Sequence, residues 1–200
     1  SNQNILLLMP ASRPQELRYI LPTFLKTAKK LQLRYPSLIV YIPSCRRVFD
    51  EKFRKGLEKY EIKGKVISRQ EHSELKPYIY SLSKLALCKS GTVNMELALY
   101  GIPQIVGYRV SRVTAFIAKR ILNFKVRFIS PVNLLVKKVI IPEFVQKNFN
   151  DKKIFYKACR LLDMTSEKTK IKKGYMLLKK ELGDEGVVER VAKDIINSII

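Results

Sequence analysis

Histidine is almost absent from this chain of 200 residues; His72 is the only one. A histidine-based metal centre needs several imidazoles, and a nucleophilic triad needs one beside its nucleophile, so both are close to excluded. Cysteine is scarce as well. Cys45, Cys88 and Cys159 are far apart and odd in number, which argues against a disulfide framework or zinc site and for reduced thiols in a cytosolic protein. No apolar run approaches the roughly 18 residues needed to cross a bilayer, and no signal peptide opens the chain. Internal repeats and low-complexity tracts are missing too, as is the glycine pattern of a Walker loop or dinucleotide fingerprint. Acidic residues are few: 17 Asp and Glu stand against 39 Lys and Arg, a formal net charge of +22. The imbalance points to an anionic partner, whether nucleic acid, an anionic membrane surface or a phosphorylated substrate. Lys-rich solvated helix faces are the plainer alternative.

What is present is globular in composition, 46% hydrophobic and 10% aromatic, and long enough for one well-buried core or one domain with a helical appendage. The chain opens Ser1-Asn2, without a Met, directly into an apolar run, which reads as a fragment cut from a longer protein with a partner domain removed. Ile5-Leu6-Leu7-Leu8-Met9 has the unbroken apolar character of a strand buried on both faces of a parallel sheet. A helix over 15–35 follows, with Leu17, Ile20, Leu21, Phe24, Leu25, Ala28 and Leu31 at helical spacing. Ser12 is its expected N-cap, and Pro22 should kink it or mark a late start. Further strands are expected at 38–42, 65–67, 84–88 and 104–106, and helices at 47–60 and 74–81. Five strand–helix units make an α/β fold, a Rossmann-like doubly wound parallel sheet whose ligands lie beyond the carboxyl ends of the strands. Val126 to Ile129 is a candidate sixth strand. Helices over about 151–164, 166–181 and 185–199 complete the chain, dividing it into a domain of 1–150 and a helical extension of 151–200.

The chain is organised around Lys89-Ser90-Gly91-Thr92, a small-residue turn between an apolar strand and a helix. Amide groups at such a helix start can face an anion, so Ser90, Gly91 and Thr92 are either a phosphate cradle or simply a tight turn. Ser90 or Thr92 can cap the helix. Glu96, about one turn further, can reach a ribose, since a carboxylate accepts two hydrogen bonds from vicinal hydroxyls; a favourable helix-dipole charge is the other reading. Arg13 and Arg109 follow the first and fifth strands, emerge at the same sheet edge and suit a polyanion. Asn133, polar within the apolar loop Pro131-Val132-Asn133-Leu134-Leu135, is a turn former or a substrate contact. His72, just after the third strand, is either a ligand contact at the sheet edge or, as the plainer reading, part of a surface loop. The apolar-basic helix carrying Arg112, Lys119 and Arg120 either lies on an anionic membrane or packs on the core with a solvated basic face.

Several segments in order resemble one family, lipid-A-disaccharide synthase, a GT-B glycosyltransferase. They are Leu8-Met9-Pro10-Ala11-Ser12-Arg13 with Glu16, the Lys89 to Thr92 turn with Met95-Glu96, and Pro103 to Arg109. Ala118-Lys119-Arg120, Pro131-Val132-Asn133-Leu134-Leu135 and Ile141-Pro142-Glu143-Phe144-Val145-Gln146 continue the series. Their order and separations are those of the family's C-terminal half and cover nearly the whole chain. The resemblance implies a donor-binding half, in an enzyme that joins a UDP-linked diacylglucosamine to a diacylglucosamine 1-phosphate. In that picture Ser90, Gly91 and Thr92 face the pyrophosphate and Glu96 the ribose. Arg13 neutralises phosphate as UDP leaves, while Arg109 and Asn133 line the cleft.

The resemblance further implies no metal, no cofactor, and a cytoplasmic enzyme peripherally associated with the inner membrane through Arg112, Lys119 and Arg120. The general base and acceptor site would lie in a missing N-terminal domain, leaving this fragment weakly nucleotide-binding and inactive alone. Ala11 stands where the family usually has Gly, and Lys89 and Asn94 are less typical choices. Other GT-B UDP-sugar enzymes, of the peptidoglycan N-acetylglucosaminyltransferase or epimerase type, share the superfold but not the Asn-Leu-Leu and Pro-Glu-Phe blocks. A nucleic-acid module would cluster its basic residues with stacking aromatics; here they are spread over many helices. A structural domain without a ligand is the remaining alternative.

Overall fold

The apolar run near the start of the chain becomes one of the two middle strands of a six-stranded sheet. A computed structural model describes residues 4–44, 46–111, 127–183 and 196. Strand β1 (Asn4–Met9) pairs with β2 (Leu38–Pro43) on one side and β4 (Ser83–Lys89) on the other, both parallel. With β3 (Gly64–Ile67), β5 (Gln104–Tyr108) and β6 (Glu143–Val145) the order is β3-β2-β1-β4-β5-β6. Every strand pairing among the described residues is parallel, and Ile5 to Leu8 and Leu85 to Cys88 are essentially inaccessible to solvent. The chain steps outward from β1 to β3, returns, and steps outward again from β4 to β6. The connections therefore diverge at the β1/β4 boundary and leave a crevice at the carboxyl ends there.

Helices α1 (Pro14–Arg34), α2 (Asp50–Lys59), α3 (Arg69–Leu82) and α4 (Val93–Leu99) link these strands. Helix α1 runs through Pro22, which lies on its exposed face, rather than starting late. Its N-cap is Arg13, without a side-chain cap bond, so Ser12 falls outside the helix instead of capping it. Helix α3 begins at Arg69, well before the expected 74, because Ser68 and Glu71 form a capping box: the Glu71 amide donates to Ser68 Oγ at 3.2 Å and the Ser68 amide to Glu71 Oε2 at 3.0 Å. His72 is thereby on a helix, not in a surface loop. Helix α4 ends as expected at Gly101, whose φ of +72° lets the Ile102 amide return to the Leu97 carbonyl at 2.9 Å.

The sixth strand is not the one expected. Arg127 to Ile129 forms no ladder; the Ile129 and Ser130 amides donate to the Glu143 carboxylate at 2.8 and 2.9 Å. The edge is filled by β6, whose Glu143 to Val145 pairs with Val106 to Tyr108. Gly107 on β5 makes room for the core: a Cβ there would stand 2.2 Å from the Phe149 ring.

Helices α5 (Pro131–Val136), α6 (Asp151–Asp163) and α7 (Thr165–Leu182) follow. Ile154, Ala158, Leu161, Ile171, Tyr175 and Leu178 enter the same buried cluster as the sheet. The first two helices of the 151–200 extension thus share the core of residues 4–150. The third, over 185–199, and the basic-helix residues Arg112, Lys119 and Arg120 lie outside the described residues, as does Val126. Among the described residues no helix is long and apolar enough to cross a membrane.

Candidate functional site

The strand ends at the switch point surround a cavity of about 410 Å³. Pro10, Ala11 and Ser12 after β1, Ser44 after β2, and the Ser90 to Thr92 turn after β4 form its floor; His72, Lys76 and Tyr80 of α3 and Glu96 of α4 form one wall. Four of the expected residues, Ser90, Gly91, Thr92 and Glu96, are thus brought together.

The turn is held by side chains rather than by a conventional cap. Asn94, fully buried, reaches back so that its Oδ1 accepts from the Gly91 amide at 2.8 Å, while its Nδ2 donates to Gln104 Oε1 at 3.0 Å. Ser90 Oγ donates to the Ile129 carbonyl. Neither Ser90 nor Thr92 caps α4 with its side chain; Asn94 does that work from inside the helix. The Gly91 amide is consequently occupied, whereas the amides of Thr92 and Val93 have no partner among the described residues. These are the groups that an anion at the helix start would meet.

Glu96 is fixed through one oxygen. Lys76 Nζ lies 2.7 Å from Oε1, and Tyr80 donates its hydroxyl to the same atom at 3.3 Å. Oε2 has no partner among the described residues and is free to accept. Burial, with Glu96 beside it, pushes the Tyr80 hydroxyl well above its ordinary pKa, so it stays a donor. Tyr80 packs edge-on to Tyr100 at 4.9 Å and against the His72 ring at 5.7 Å. Burial, and secondarily the Lys76 charge, lowers the His72 pKa below its usual value, keeping a neutral imidazole on the wall. Cys88, directly beneath the turn, is packing rather than a nucleophile: full burial pushes its thiol far above the ordinary range.

A second cavity of about 510 Å³ adjoins the first and takes Arg13 and Arg109, together with Glu16, Arg18, Tyr19 and Tyr108. Glu16 and Lys89 form an ion pair of 2.9 Å between the two, Glu16 lining the second and Lys89 the first. Arg109 donates from Nη2 to the carbonyls of Gln146 at 3.1 Å and Phe149 at 2.8 Å. Asn133 lines neither cavity. It is fully buried, its Nδ2 donating to the Ile141 carbonyl and Glu143 Oε1, its Oδ1 accepting from the Ile140 and Ile141 amides, all within 3.0 Å. Of the two roles open for Asn133, this geometry is that of the turn former.

Sequence reasoning missed Lys76 and Tyr80, and offered for His72 both a ligand contact at the sheet edge and a surface loop; the cavity lining agrees with the first of these. The Ser68-x-x-Glu71 capping box was the signal that puts them on a helix facing the crevice. It also missed the Lys89–Glu16 pair, for which residues 73 positions apart give no local sign.

The fold recurs in solved structures. The S. aureus MnaA–UDP co-structure matches with a TM-score of 0.68 at 15% identity, covering 99% of this chain and 46% of that one. The C-terminal CMP-Kdo binding domain of WaaA from Acinetobacter baumannii matches at 0.54 and 11% identity, over 89% of this chain and 90% of that one. At these identities the likeness shows the fold alone, a Rossmann-like α/β half of the GT-B kind. Sequence relatives reach further. A lipid-A-disaccharide synthase of Prochlorococcus marinus (strain MIT 9313) is 46% identical over 98% of this chain and 50% of its own length. One from Gloeothece citriformis (strain PCC 7424) is 34% identical over 99% and 50%. The chain spans about half the length of the curated relatives it matches. The lipid-A-disaccharide synthetase family model matches residues 1–197, nearly the whole sequence, and with these relatives it places the chain in that family.

Proposed function

We propose that this chain is the donor-binding half of a glycosyltransferase that joins UDP-2,3-diacylglucosamine to 2,3-diacylglucosamine 1-phosphate, forming the lipid A disaccharide and UDP. The observation that carries the reading is the switch-point cavity, where amides at the start of α4 and a carboxylate oxygen one turn later, all without partners among the described residues, face the same space. A nucleoside diphosphate needs both: donors for its phosphates, an acceptor for its ribose hydroxyls.

In this reading Thr92 and Val93 donate to the pyrophosphate, with Ser90 and Gly91 shaping the turn, and Glu96 accepts from the ribose through Oε2. As the glycosidic bond forms, negative charge grows on the departing diphosphate, and the helix start and the neighbouring Arg13 and Arg109 stabilise it by their fixed positive potential. Residues 1–150 provide this site, and α6 and α7 brace it, Tyr175 of α7 through Gln104. The general base and acceptor-binding residues are supplied by a further domain of the whole enzyme. Arg112, Lys119 and Arg120 would set the enzyme peripherally on the cytoplasmic face of the inner membrane; liposome binding insensitive to salt would count against that part.

Calorimetric titration with UDP, and with ATP as control, tests the main reading. Saturable UDP binding that Glu96→Ala weakens, with no comparable ATP binding, is the expected result. UDP binding indifferent to Glu96 would remove the ribose contact, and equal binding of any polyanion would favour a general basic module.

A further inference from the structure

The carboxylate assigned to the ribose is not aimed by its own helix. Glu96 sits on α4, a helix of seven residues, and an unheld glutamate there would sweep through several rotamers and present either oxygen to the cavity. Two donors from α3 remove that freedom. Lys76 Nζ lies 2.7 Å from Oε1, and the Tyr80 hydroxyl donates to the same atom at 3.3 Å. With Oε1 taken twice, Oε2 is the oxygen left to a ligand.

The donors are themselves held. His72, Lys76 and Tyr80 fall four residues apart on α3 and form one row along the cavity wall. The Ser68–Glu71 capping box pins the start of that helix, and at its end Ser83 Oγ donates to the Ile79 carbonyl at 2.8 Å. Tyr80 is 3% exposed, with the Tyr100 ring edge-on at 4.9 Å and the His72 ring at 5.7 Å. Its hydroxyl is fixed by a packed ring, and burial, with Glu96 second, keeps it protonated. Lys76, with 33% of its side chain in solvent, adds charge more than direction.

We infer that Tyr80 and Lys76 are positioning residues for Glu96, and that through them α3 sets how strongly the site prefers a ribonucleotide to one without the two vicinal hydroxyls. The inference rests on the proposed contact between Glu96 and the ribose and goes one step behind it. A carboxylate already aimed loses little freedom when the hydroxyls arrive, whereas a free one must be ordered at the moment of binding. The gain exists only for a ligand that carries the hydroxyls. Neither Tyr80 nor Lys76 has to touch the nucleotide to produce it.

Calorimetric titration with UDP and with 2′,3′-dideoxy-UDP tests this on the parent chain and on Tyr80→Phe, Lys76→Met and Glu96→Ala. Tyr80→Phe keeps the packed ring and removes only the hydroxyl. It should weaken UDP about three- to tenfold, the cost of ordering one side chain on binding, and leave the dideoxy analogue unchanged. Losing the Lys76 charge weakens both diphosphates alike, so for Lys76→Met the ratio of the two affinities is the readout. That ratio should fall, and Lys76→Arg should restore most of it. In a Glu96→Ala background, Tyr80→Phe should cost UDP nothing further.

Equal losses of both ligands in Tyr80→Phe, or a further loss on top of Glu96→Ala, would mean that Tyr80 acts on the wall or on the ligand itself, and overturn the inference. A preference for UDP that Glu96→Ala abolishes but Tyr80→Phe and Lys76→Met leave intact overturns the positioning role alone. A parent chain that binds the two ligands equally lacks the ribose contact, and the Glu96 assignment fails with it.

Discussion

Asn94 and Glu96 stand two residues apart on one short helix and are used in opposite ways. Asn94 points inward, has no solvent exposure, and uses its amide on Gly91, Cys88, Lys89 and Gln104. Glu96 points into the cavity and leaves one oxygen unpaired among the described residues. The contrast repeats at larger scale. The loop around Asn133 is saturated internally, and Glu143 accepts from Ile129, Ser130 and Asn133 there. The arginine cavity keeps charges that nothing described in the chain neutralises. Saturated polar groups fix the frame, because an unsatisfied buried group costs about 1–3 kcal/mol. Unsaturated ones at a cavity wall are what a ligand can use.

The sharpest way to break this contrast is at Asn133. Asn133→Ala strands the Ile140 and Ile141 amides and removes a donor from Glu143; unfolding should cost on the order of 4 kcal/mol less, measured by urea denaturation. A change below about 1 kcal/mol would mean that the loop is not held as described. Glu96→Ala should do the reverse. UDP affinity falls about 10- to 100-fold, the worth of a charged hydrogen bond, while stability moves by no more than about 0.5 kcal/mol. A large loss of stability there would put Glu96 on the frame side.

Tyr175→Phe sharpens the frame further. Tyr175 donates to the Ile102 carbonyl at 2.8 Å and accepts from Gln104 at 3.1 Å, so the variant should lose about 1 kcal/mol of stability with UDP binding intact. The smallest effect belongs to His72. Its folded pKa lies below the unfolded value of about 6.5, so the folded state favours the neutral imidazole. That contribution is fully present above the unfolded pKa and is lost as pH falls through it. His72→Asn should therefore flatten the slope of stability against pH below about 6.5; an unchanged slope would mean that burial is not acting on the ring.

Much of the frame was legible in the chain. Five strands announced themselves as short apolar runs, and Gly101 followed by Pro103 marked the end of α4. The sixth strand was not legible, because β6 is three half-exposed residues whose extended form depends on pairing with β5. The run at 126–129 looked better in composition, yet its Ile129 amide goes to a carboxylate instead of a ladder. The site divided in the same manner. Small residues after a strand drew attention to Ser90, Gly91 and Thr92, since that chemistry is local. Arg13 and Arg109 were rightly seen at the same sheet edge, but which of the two cavities they enter depends on the wall between Lys89 and Glu16.

What the sequence by itself determined is the parallel α/β order, the turn after β4 with Glu96 one helical turn on, and membership of a family. Those follow from local periodicity, turn chemistry and a series of motifs in fixed order. Only the tertiary structure decided that Asn133 is frame, that His72 and Tyr80 face the cavity, and that the arginines share a separate one. Each of these depends on side chains distant in sequence competing for the same hydrogen bonds and the same space, and no stretch of chain carries that information alone.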